Sequence, residues 1–161
     1  MTTAERSVTM ARISDRPAIE GIHHVKLPVA DLDRALRFYE HLFGAERIPK
    51  ADHRKQDGSL YALILRVPGL GTMLELRLNG EQAQNQRHFD PITLAVKDRA
   101  TLEHWLSFVD ALGIPHSPIL TAIQGWVLVV EDPDEHRLRL YTLEAHGPDL
   151  KPDEDDPWLQ S

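Results

Sequence analysis

Cysteine is absent from the 161-residue sequence. The absence excludes disulfide bonds, thiolate metal ligands and cysteine nucleophiles, because each of these needs a thiol. Long apolar runs are missing too, and none approaches the roughly 20 residues that span a bilayer. The first residues lack the apolar centre of a secretory signal peptide. We therefore expect a cytoplasmic protein that has no membrane partner.

The sequence has fewer basic than acidic residues. It contains 18 Lys and Arg residues against 25 Asp and Glu residues, and its net charge is -7. This balance argues against nucleic acid as the main partner. An anionic small ligand stays compatible, because local charge in a pocket can oppose the net charge. The chain is 42% hydrophobic and 27% charged, which is typical of a globular protein.

The two ends of the chain lack the regular pattern of its middle. Residues 1–19 show no hydrophobic period and are interpreted as a flexible N-terminal arm. Residues 147–161 form an acidic, proline-rich tail that we expect outside the core, although Trp158 would be able to pin it to a surface. The middle, residues 20–146, is predicted to be a single domain of ordinary size.

A repeat organises this domain. The segment IHHVKLPVADLDRALRFYEHLFG, residues 22–44, matches DPITLAVKDRATLEHWLSFVDALG, residues 90–113, in layout. Each begins with an alternating strand pattern, continues through an aspartate suited to cap a helix, and ends at a glycine suited to terminate it. The two aspartates are Asp31 and Asp98. Two copies in the same order indicate a duplicated unit.

Three strand-like segments follow each helix. The sequence therefore predicts an α+β domain of two βαβββ modules, module one at about 20–82 and module two at about 88–146. Asp57-Gly58, Pro68-Gly69 and Asp132-Pro133-Asp134 indicate turns between strands. The predicted strands after the helices are Ala45–Arg54, Ser59–Val67 and Thr72–Leu78 in module one, and Ile114–Thr121, Gly125–Glu131 and His136–Leu143 in module two.

Strand alternation assigns each side chain to the face that packs on the helix or to the opposite face, here called the open face. Open-face positions hold five chemically useful groups, which are His24, Glu75, Arg77, Arg139 and Tyr141. The neighbouring His23 falls on the packed face and is predicted to be a core histidine. If the sheet curls, the open faces form a concave cup. The alternative to a cup is a solvent-exposed sheet face, on which the charged side chains form weak ion pairs screened by water.

The sequence resembles the glyoxalase/bleomycin-resistance/extradiol-dioxygenase, or vicinal oxygen chelate, superfamily. The resemblance rests on HHVKLPVADLDRALRFYEHLFGAERI, on EDPDEHRLRLY and on the paired modules, and it covers about residues 21–144. It implies a curved mixed sheet around a small-molecule cup. It is much less specific for the reaction, because one fold carries many functions. It also implies a homodimer, whose cups are built within one chain or between two.

The resemblance further implies metal ligands on the first and last strand of each module. In module one these positions fall on His24 and Glu75, which are suitable donors for a divalent ion. In module two they fall on Pro91, which has no donor, and on Arg139, which would repel a cation. Half of the implied ligand set is missing, so we expect no metal cofactor.

We therefore predict an enzyme that acts on a small organic molecule without a metal, by isomerase, lyase or cyclisation chemistry. His24 and Glu75 would form an acid/base pair. Arg139, with Arg77, would hold an anionic oxygen, and Tyr141 would donate to the same oxygen.

Two alternatives stay open. One is a non-catalytic protein that binds an antibiotic or metabolite, as bleomycin-resistance proteins do, with Tyr61, Trp126 and His116 completing the lining of the cup. The other is a glyoxalase-type or dioxygenase-type metalloenzyme. It would bind Fe, Mn, Ni or Zn through His24 and Glu75, with His88 or His116 as substitute ligands. The remaining histidines, His53 among them, carry no functional prediction.

Overall fold

The computed structural model describes residues 15–160. Residues 1–14, which make up most of the predicted N-terminal arm, lie outside the described residues. No helix in the described part of the chain is long and apolar enough to cross a membrane.

Module one forms a five-stranded mixed sheet with one helix against it. In the sheet, β1 runs parallel to β5, β4 pairs antiparallel with β5, and β2 and β3 both pair with β4. A long helix, α1, links β1 to β2. The elements are β1 (His24–Val29), α1 (Leu32–Phe43), β2 (Glu46–Arg47), β3 (His53–Arg54), β4 (Leu60–Arg66) and β5 (Met73–Leu78).

Module two repeats this order in a separate four-stranded sheet. Its first strand, β6, again runs parallel to its last, β9, and the remaining pairs are antiparallel. The predicted α+β class with two βαβββ modules is therefore confirmed, with two mixed sheets instead of one. The elements, preceded by a short linker helix α2 (Gly80–Asn85), are β6 (Thr93–Val96), α3 (Arg99–Ala111), β7 (Leu120–Thr121), β8 (Trp126–Glu131) and β9 (Arg137–Thr142).

The predicted helix caps are confirmed. The Asp31 carboxylate accepts from the Arg34 amide at 2.8 Å, and Asp98 accepts from the Thr101 amide at the same distance. These bonds satisfy amides that have no partner within the first turn. Gly44 ends α1 in the left-handed conformation that glycine adopts without steric cost.

Two strands are much shorter than the sequence predicts. The first predicted segment of module one is interrupted by a 3-10 turn at Pro49–Ala51, which separates β2 from β3. In module two, Ile114–Thr121 reduces to Leu120–Thr121. Pro115 and Pro118 interrupt that segment, and proline cannot donate to a strand ladder. The linker helix α2 is not predicted at all, although Asn79 caps it by accepting from the Gln82 amide at 3.0 Å.

One hydrophobic core is shared by both modules. It takes residues from α1, from α3 and from the helix-facing side of each sheet, so each open face is directed away from it. The Phe43 and Trp105 rings meet in it, with centroids 5.9 Å apart. His23 is exposed and not a core residue, because the chain enters β1 only at the next position. The most buried core side chains include Leu27, Leu65, Leu76, Leu102, Leu128 and Leu140.

A buried polar network also joins the modules. Asp132, in the turn between β8 and β9, accepts from the Tyr39 hydroxyl of α1 at 2.8 Å and contacts His136 Nδ1 at 2.9 Å. Its other oxygen accepts from the amides of Asp134 and His136. Burial, followed by the nearby Asp132 charge, raises the pKa of Tyr39 well above its ordinary value.

The acidic tail lies over the open face of module two. Trp158 and Leu159 pack there against a second, smaller cluster of buried apolar residues. The guanidinium of Arg137 stacks over the Trp158 ring at 5.0 Å. The cluster beneath the tail consists of Leu120, Ala122, Val127 and Val129, with Tyr141 beside it.

Candidate functional site

A buried carboxylate lies at the centre of the open face of module one. Glu75 is 1% exposed, although most glutamates lie at the surface. Its Oε2 atom lies 3.1 Å from His24 Nε2, and its Oε1 atom accepts from Arg77 Nε at 2.6 Å. The parallel pairing of β1 with β5 explains this arrangement, because it places His24 and Glu75 on the same face of neighbouring strands.

Two further side chains border this carboxylate. His53 on β3 directs Nδ1 toward Glu75 Oε1 at 3.9 Å, and that buried nitrogen has no hydrogen-bond partner among the described residues. Tyr61 lies beside both groups, with its ring 5.6 Å from the His53 ring and 5.0 Å from the Arg77 guanidinium carbon. The pairing of β3 with β4 shifts register here, as at a bulge that redirects side chains.

The histidine pair at the start of β1 has a defined hydrogen-bonding order. A carboxylate only accepts hydrogen bonds, so a hydrogen shared between His24 Nε2 and Glu75 Oε2 is carried by the histidine. His24 Nδ1 lies 2.9 Å from His23 Nδ1, and one of these two nitrogens must donate to the other. In the tautomer that carries its hydrogen on Nε2, neutral His24 has a free Nδ1 base, which accepts from His23. Because His23 is exposed, a ligand is able to replace it at this nitrogen.

The donor set fits a tightly held divalent ion poorly. Arg77 Nη2 also approaches Glu75 Oε1, at 2.5 Å, so a guanidinium already neutralises the carboxylate that an ion would need. Among the described residues, three His or Glu ligand atoms within 4.8 Å of one another occur only at His88, Glu131 and Glu135. Those acids lie in module two and pair with Arg87 and Arg137.

The candidate residues of module two lie on a different surface. Arg139 Nε forms an ion pair with Asp90 at 2.7 Å, and its Nη2 donates to the Leu159 carbonyl of the tail at 3.2 Å. The Tyr141 hydroxyl accepts from the Gln124 amide at 3.0 Å. Within residues 15–160, no hydrogen bond, ion pair or ring contact joins Arg139 or Tyr141 to the His24–Glu75 pair.

Two other predicted lining residues lie away from the open faces. Trp126 is on the side of β8 that packs toward the shared core, between the Arg99 guanidinium and the His146 ring. Hydrogen bonding to the carbonyls of Ala122 and Gly147 raises the pKa of His146. His116 is beside the end of α3, where it contacts Asp110 at 3.5 Å. We do not include Trp126 or His116 in the site proposed below.

Sequence reasoning missed two of the histidines near the carboxylate. His53 follows a proline-containing turn, and no periodic pattern indicates that it returns to the same sheet. His23 was placed on the wrong face because strand alternation was extended one residue too far. The sequence does contain a signal for His23, which is the doublet His23-His24. Two histidines that follow each other at the start of a strand can bring their imidazole rings into contact, as they do here.

Comparisons with known proteins agree with this architecture. The family model described as Glyoxalase/Bleomycin resistance protein/Dioxygenase superfamily matches residues 21–140. No curated protein sequence matches the chain significantly. A domain of the same description from Frankia sp. EAN1pec superposes with a TM-score of 0.64 at 20% identity, covering 81% of this chain and 96% of that chain.

Two enzymes of named activity are similar in fold. Lactoylglutathione lyase from Agrobacterium tumefaciens has a TM-score of 0.59 at 19% identity, covering 79% of this chain and 96% of that chain. A mutant of the fosfomycin resistance protein FosX from Listeria monocytogenes, complexed with Mn(II) and 1S,2S-dihydroxypropylphosphonic acid, has a TM-score of 0.62 at 21% identity. That match covers 77% of this chain and 93% of that chain. At such identities the likeness establishes the fold alone.

Proposed function

This chain belongs to the Glyoxalase/Bleomycin resistance protein/Dioxygenase superfamily, and on that premise we propose that it is an acid/base enzyme that needs no metal. Its substrate is a small organic molecule with a hydrogen next to a carbonyl group. The observation that carries the proposal is the buried Glu75 carboxylate, held between His24 and Arg77. Burying such a carboxylate is costly unless its partners compensate, and this one is paired on both oxygens.

His24 is the proposed general base. Glu75 orients the ring by accepting from Nε2 and stabilises the positive charge that forms when Nδ1 takes a proton. The substrate carbon loses this proton, and the electron pair of its C–H bond moves to the carbonyl oxygen to form an enolate. Return of the proton from Nδ1 to a different atom of the enolate completes an isomerisation.

Arg77 is the proposed partner of the enolate oxygen. A guanidinium has five N–H donors, and only two of its nitrogens are directed at Glu75. About a third of the Arg77 side chain is exposed, so the remaining donors face the open side of the sheet. Charge-assisted hydrogen bonds to a developing oxyanion are stronger than neutral ones, which is the effect that catalysis requires.

The proposed absence of a metal follows from the same contacts. A divalent ion at Glu75 would have to displace the Arg77 guanidinium, and the positions that supply further ligands in metal-using members are Pro91 and Arg139 here. FosX, which has the same fold, was complexed with Mn(II). The experiment that tests this proposal must therefore compare the protein with and without an added divalent metal.

A second copy of the chain is proposed to complete the cup. His24 and Arg77 on the open face of module one are about a third exposed, while Arg139 and Tyr141 lie on the other open face, directed away from the shared core. A homodimer that places module two of one copy over module one of the other would bring Arg139 toward the enolate. In such a dimer Arg139 and Tyr141 have the substrate-binding roles that the sequence suggests.

Deuterium exchange tests the proposal directly. We would incubate the EDTA-treated protein in deuterium oxide with α-oxo acids and β-dicarbonyl compounds and follow loss of the acidic C–H signal by NMR. Wild-type protein should accelerate exchange in at least one compound. His24→Ala and Glu75→Gln should each reduce that rate by about 100-fold or more, which is the range for general acid/base catalysis. Arg37→Ala, at an exposed position of α1 on the opposite side of the sheet, serves as the matched control.

Three outcomes would contradict it. Exchange that requires added Mn(II), Fe(II), Ni(II) or Zn(II) and disappears with EDTA would establish the metalloenzyme alternative. Unchanged exchange in His24→Ala would remove the proposed base. Absence of exchange in every compound would exclude proton abstraction next to a carbonyl as the reaction class.

A non-catalytic binding protein is the second candidate. It is favoured by one observation, namely that Arg77 holds Glu75 in a close ion pair at 2.5 Å. A purely structural pair of this kind would leave a cup lined by Tyr61 and His53 that binds a small molecule unchanged. Stoichiometric binding of fosfomycin or a related phosphonate, recovered intact, would favour this candidate over the enzyme.

A further inference from the structure

The tail, residues 147–160, covers an apolar surface on the open face of module two. Val127 and Val129 point from β8 toward the tail and are at most 1% exposed, together with the nearly buried Leu120 and Ala122. Yet Trp158 and Leu159, which cover them, are themselves only half-buried. The tail therefore lies on a preformed apolar face without being part of the main core.

The tail is held by its backbone carbonyls as well as by one carboxylate, since the Asp153 side chain accepts from the Thr121 amide at 2.7 Å. Arg137 Nη1 donates to the Pro157 carbonyl at 2.7 Å and to the Gln160 carbonyl at 2.9 Å, and Arg139 donates to the Leu159 carbonyl. Two guanidinium groups thus bind neutral carbonyl oxygens. A negatively charged oxygen would form stronger, charge-assisted hydrogen bonds with the same donors.

The tail also fills its site incompletely. A cavity of about 230 Å³ remains between it and the sheet, bordered by Arg139 and Tyr141 on one side and by Pro152, Glu154 and Leu159 on the other. One acidic residue, Glu154, lines the tail side of this cavity. An anion that entered it would share Arg139 with Asp90, which pairs with Nε at 2.7 Å, and would be repelled by Glu154, so its arrival would favour release of the tail.

We propose that the tail is a built-in competitor for an amphiphilic ligand that has an aromatic or apolar body and an anionic oxygen group. Trp158 and Leu159 occupy the place of the ligand's apolar body, and the tail carbonyls occupy the place of its anionic group. Release of the tail frees this face for the ligand. The inference shares Arg139 and Tyr141 with the dimeric cup proposed above, but it does not depend on the catalytic roles proposed for His24 and Glu75.

Binding of 8-anilinonaphthalene-1-sulfonate, an aromatic sulfonate that fluoresces in apolar sites, tests the proposal on the full chain. A tail that is bound about nine-tenths of the time weakens the apparent affinity of a competing ligand about tenfold. The double change Trp158→Ala and Leu159→Ala should therefore tighten dye binding by about tenfold. Leu150→Ala, an exposed tail position outside the cluster, should leave it unchanged.

Two additional measurements distinguish competition between tail and dye from a general loosening of the fold in the double variant. A synthetic peptide of residues 147–161 should displace the dye from the double variant, while the peptide lacking both Trp158 and Leu159 side chains should not. Adding Arg139→Ala to the double variant should weaken binding of the sulfonate dye but not of the neutral dye Nile red. Unchanged or weaker dye binding by the double variant would overturn the proposal.

The wild-type chain provides a test that needs no variant. The Asp153 amide donates to the Thr121 carbonyl at 2.9 Å, which ties the tail to the edge strand β7. If the dye displaces the tail, hydrogen exchange at Asp153 should accelerate as dye is added. Slower exchange would show that the tail closes over the ligand instead, and this result would also overturn the proposal.

Discussion

Modules one and two have the same order of elements and opposite chemistry on their open faces. In module one a buried carboxylate lies among two histidines and an arginine, each of which is partly exposed. In module two two arginines bind the tail of the chain itself. The difference teaches that the duplicated backbone determines which positions face outward, while the residues at those positions determine what each face binds.

The turns that join the last two strands differ as well. In module one this turn contains Pro68 and Gly69 and packs through Leu70 on the shared core. In module two it contains Asp132, whose carboxylate reaches Tyr39 on α1 of module one. Only the second turn carries a polar network across the module boundary among the described residues. Removing that network should therefore have the largest effect on stability.

Asp132→Ala is expected to lower the free energy of unfolding by about 3–5 kcal/mol, the range for breaking a buried, charged hydrogen-bond network. The change leaves the Tyr39 hydroxyl, His136 Nδ1 and two backbone amides without their acceptor. Urea unfolding at pH 7 measures the loss. Asp155→Ala, at an exposed tail position, should change stability very little. A loss for Asp132→Ala no larger than this control would mean that the Asp132 network does not hold the modules together, and that apolar packing and the contacts of Asp134 with Ala30 and Arg34 do.

The hairpin glycines of the two modules sharpen the comparison, because each is required for a different reason. A side chain at Gly125 in module two would lie 2.4 Å from Thr142 Oγ1 and 2.7 Å from the Glu144 carbonyl. Gly58 in module one has open space around it but adopts a φ of +86°. Gly125 is therefore required for space and Gly58 for its backbone conformation.

Gly125→Ala should cost about 1–3 kcal/mol, since the overpacked contact includes backbone that cannot move away easily. Gly58→Ala should cost about 1 kcal/mol for its positive φ. Asparagine, which tolerates the left-handed region better than alanine, should restore part of the stability at position 58 and none at 125. Thermal or urea unfolding of the four variants checks this, and equal rescue at both positions would contradict it.

The sequence predicted much of this fold because its signals are local. Asp31 and Asp98 cap helices within one turn of themselves, and alternation along β1 and β5 places His24 and Glu75 on the same face. Such features depend on neighbours a few residues away. They are therefore readable without knowing how the modules pack.

The rest of the site depends on contacts between distant segments. His53 reaches Glu75 only because β3 returns to pair with β4, and a strand of two residues leaves no periodic signal. Alternation also assigned Arg139 correctly to an open face of its own sheet. It did not reveal that the two open faces point away from a shared core, or that Leu159 would cover one of them. Those facts depend on packing between modules.

The smallest expected effect comes from Tyr39→Phe, which removes one hydrogen bond of the network that joins the modules. At pH 7 the loss should be about 1 kcal/mol, because Asp132 keeps His136 and two amides as donors. Tyr61→Phe, on the open face of module one, serves as the matched control. The Tyr39 variant is more informative at alkaline pH, where the tyrosine itself titrates.

Burial and the Asp132 charge raise the pKa of Tyr39 well above 10 in the folded protein. Above pH about 10 the unfolded chain releases this proton while the folded chain keeps it, so wild-type stability falls by about 1.4 kcal/mol per pH unit. Phenylalanine has no proton to release. The stability difference between wild type and Tyr39→Phe should therefore shrink above pH 10 in urea titrations. If the stability difference between wild type and Tyr39→Phe stayed constant as the pH rose, the Tyr39 hydroxyl would have to be hydrated in the folded protein. Water would then reach the contact between α1 and the β8–β9 turn, where the two modules meet.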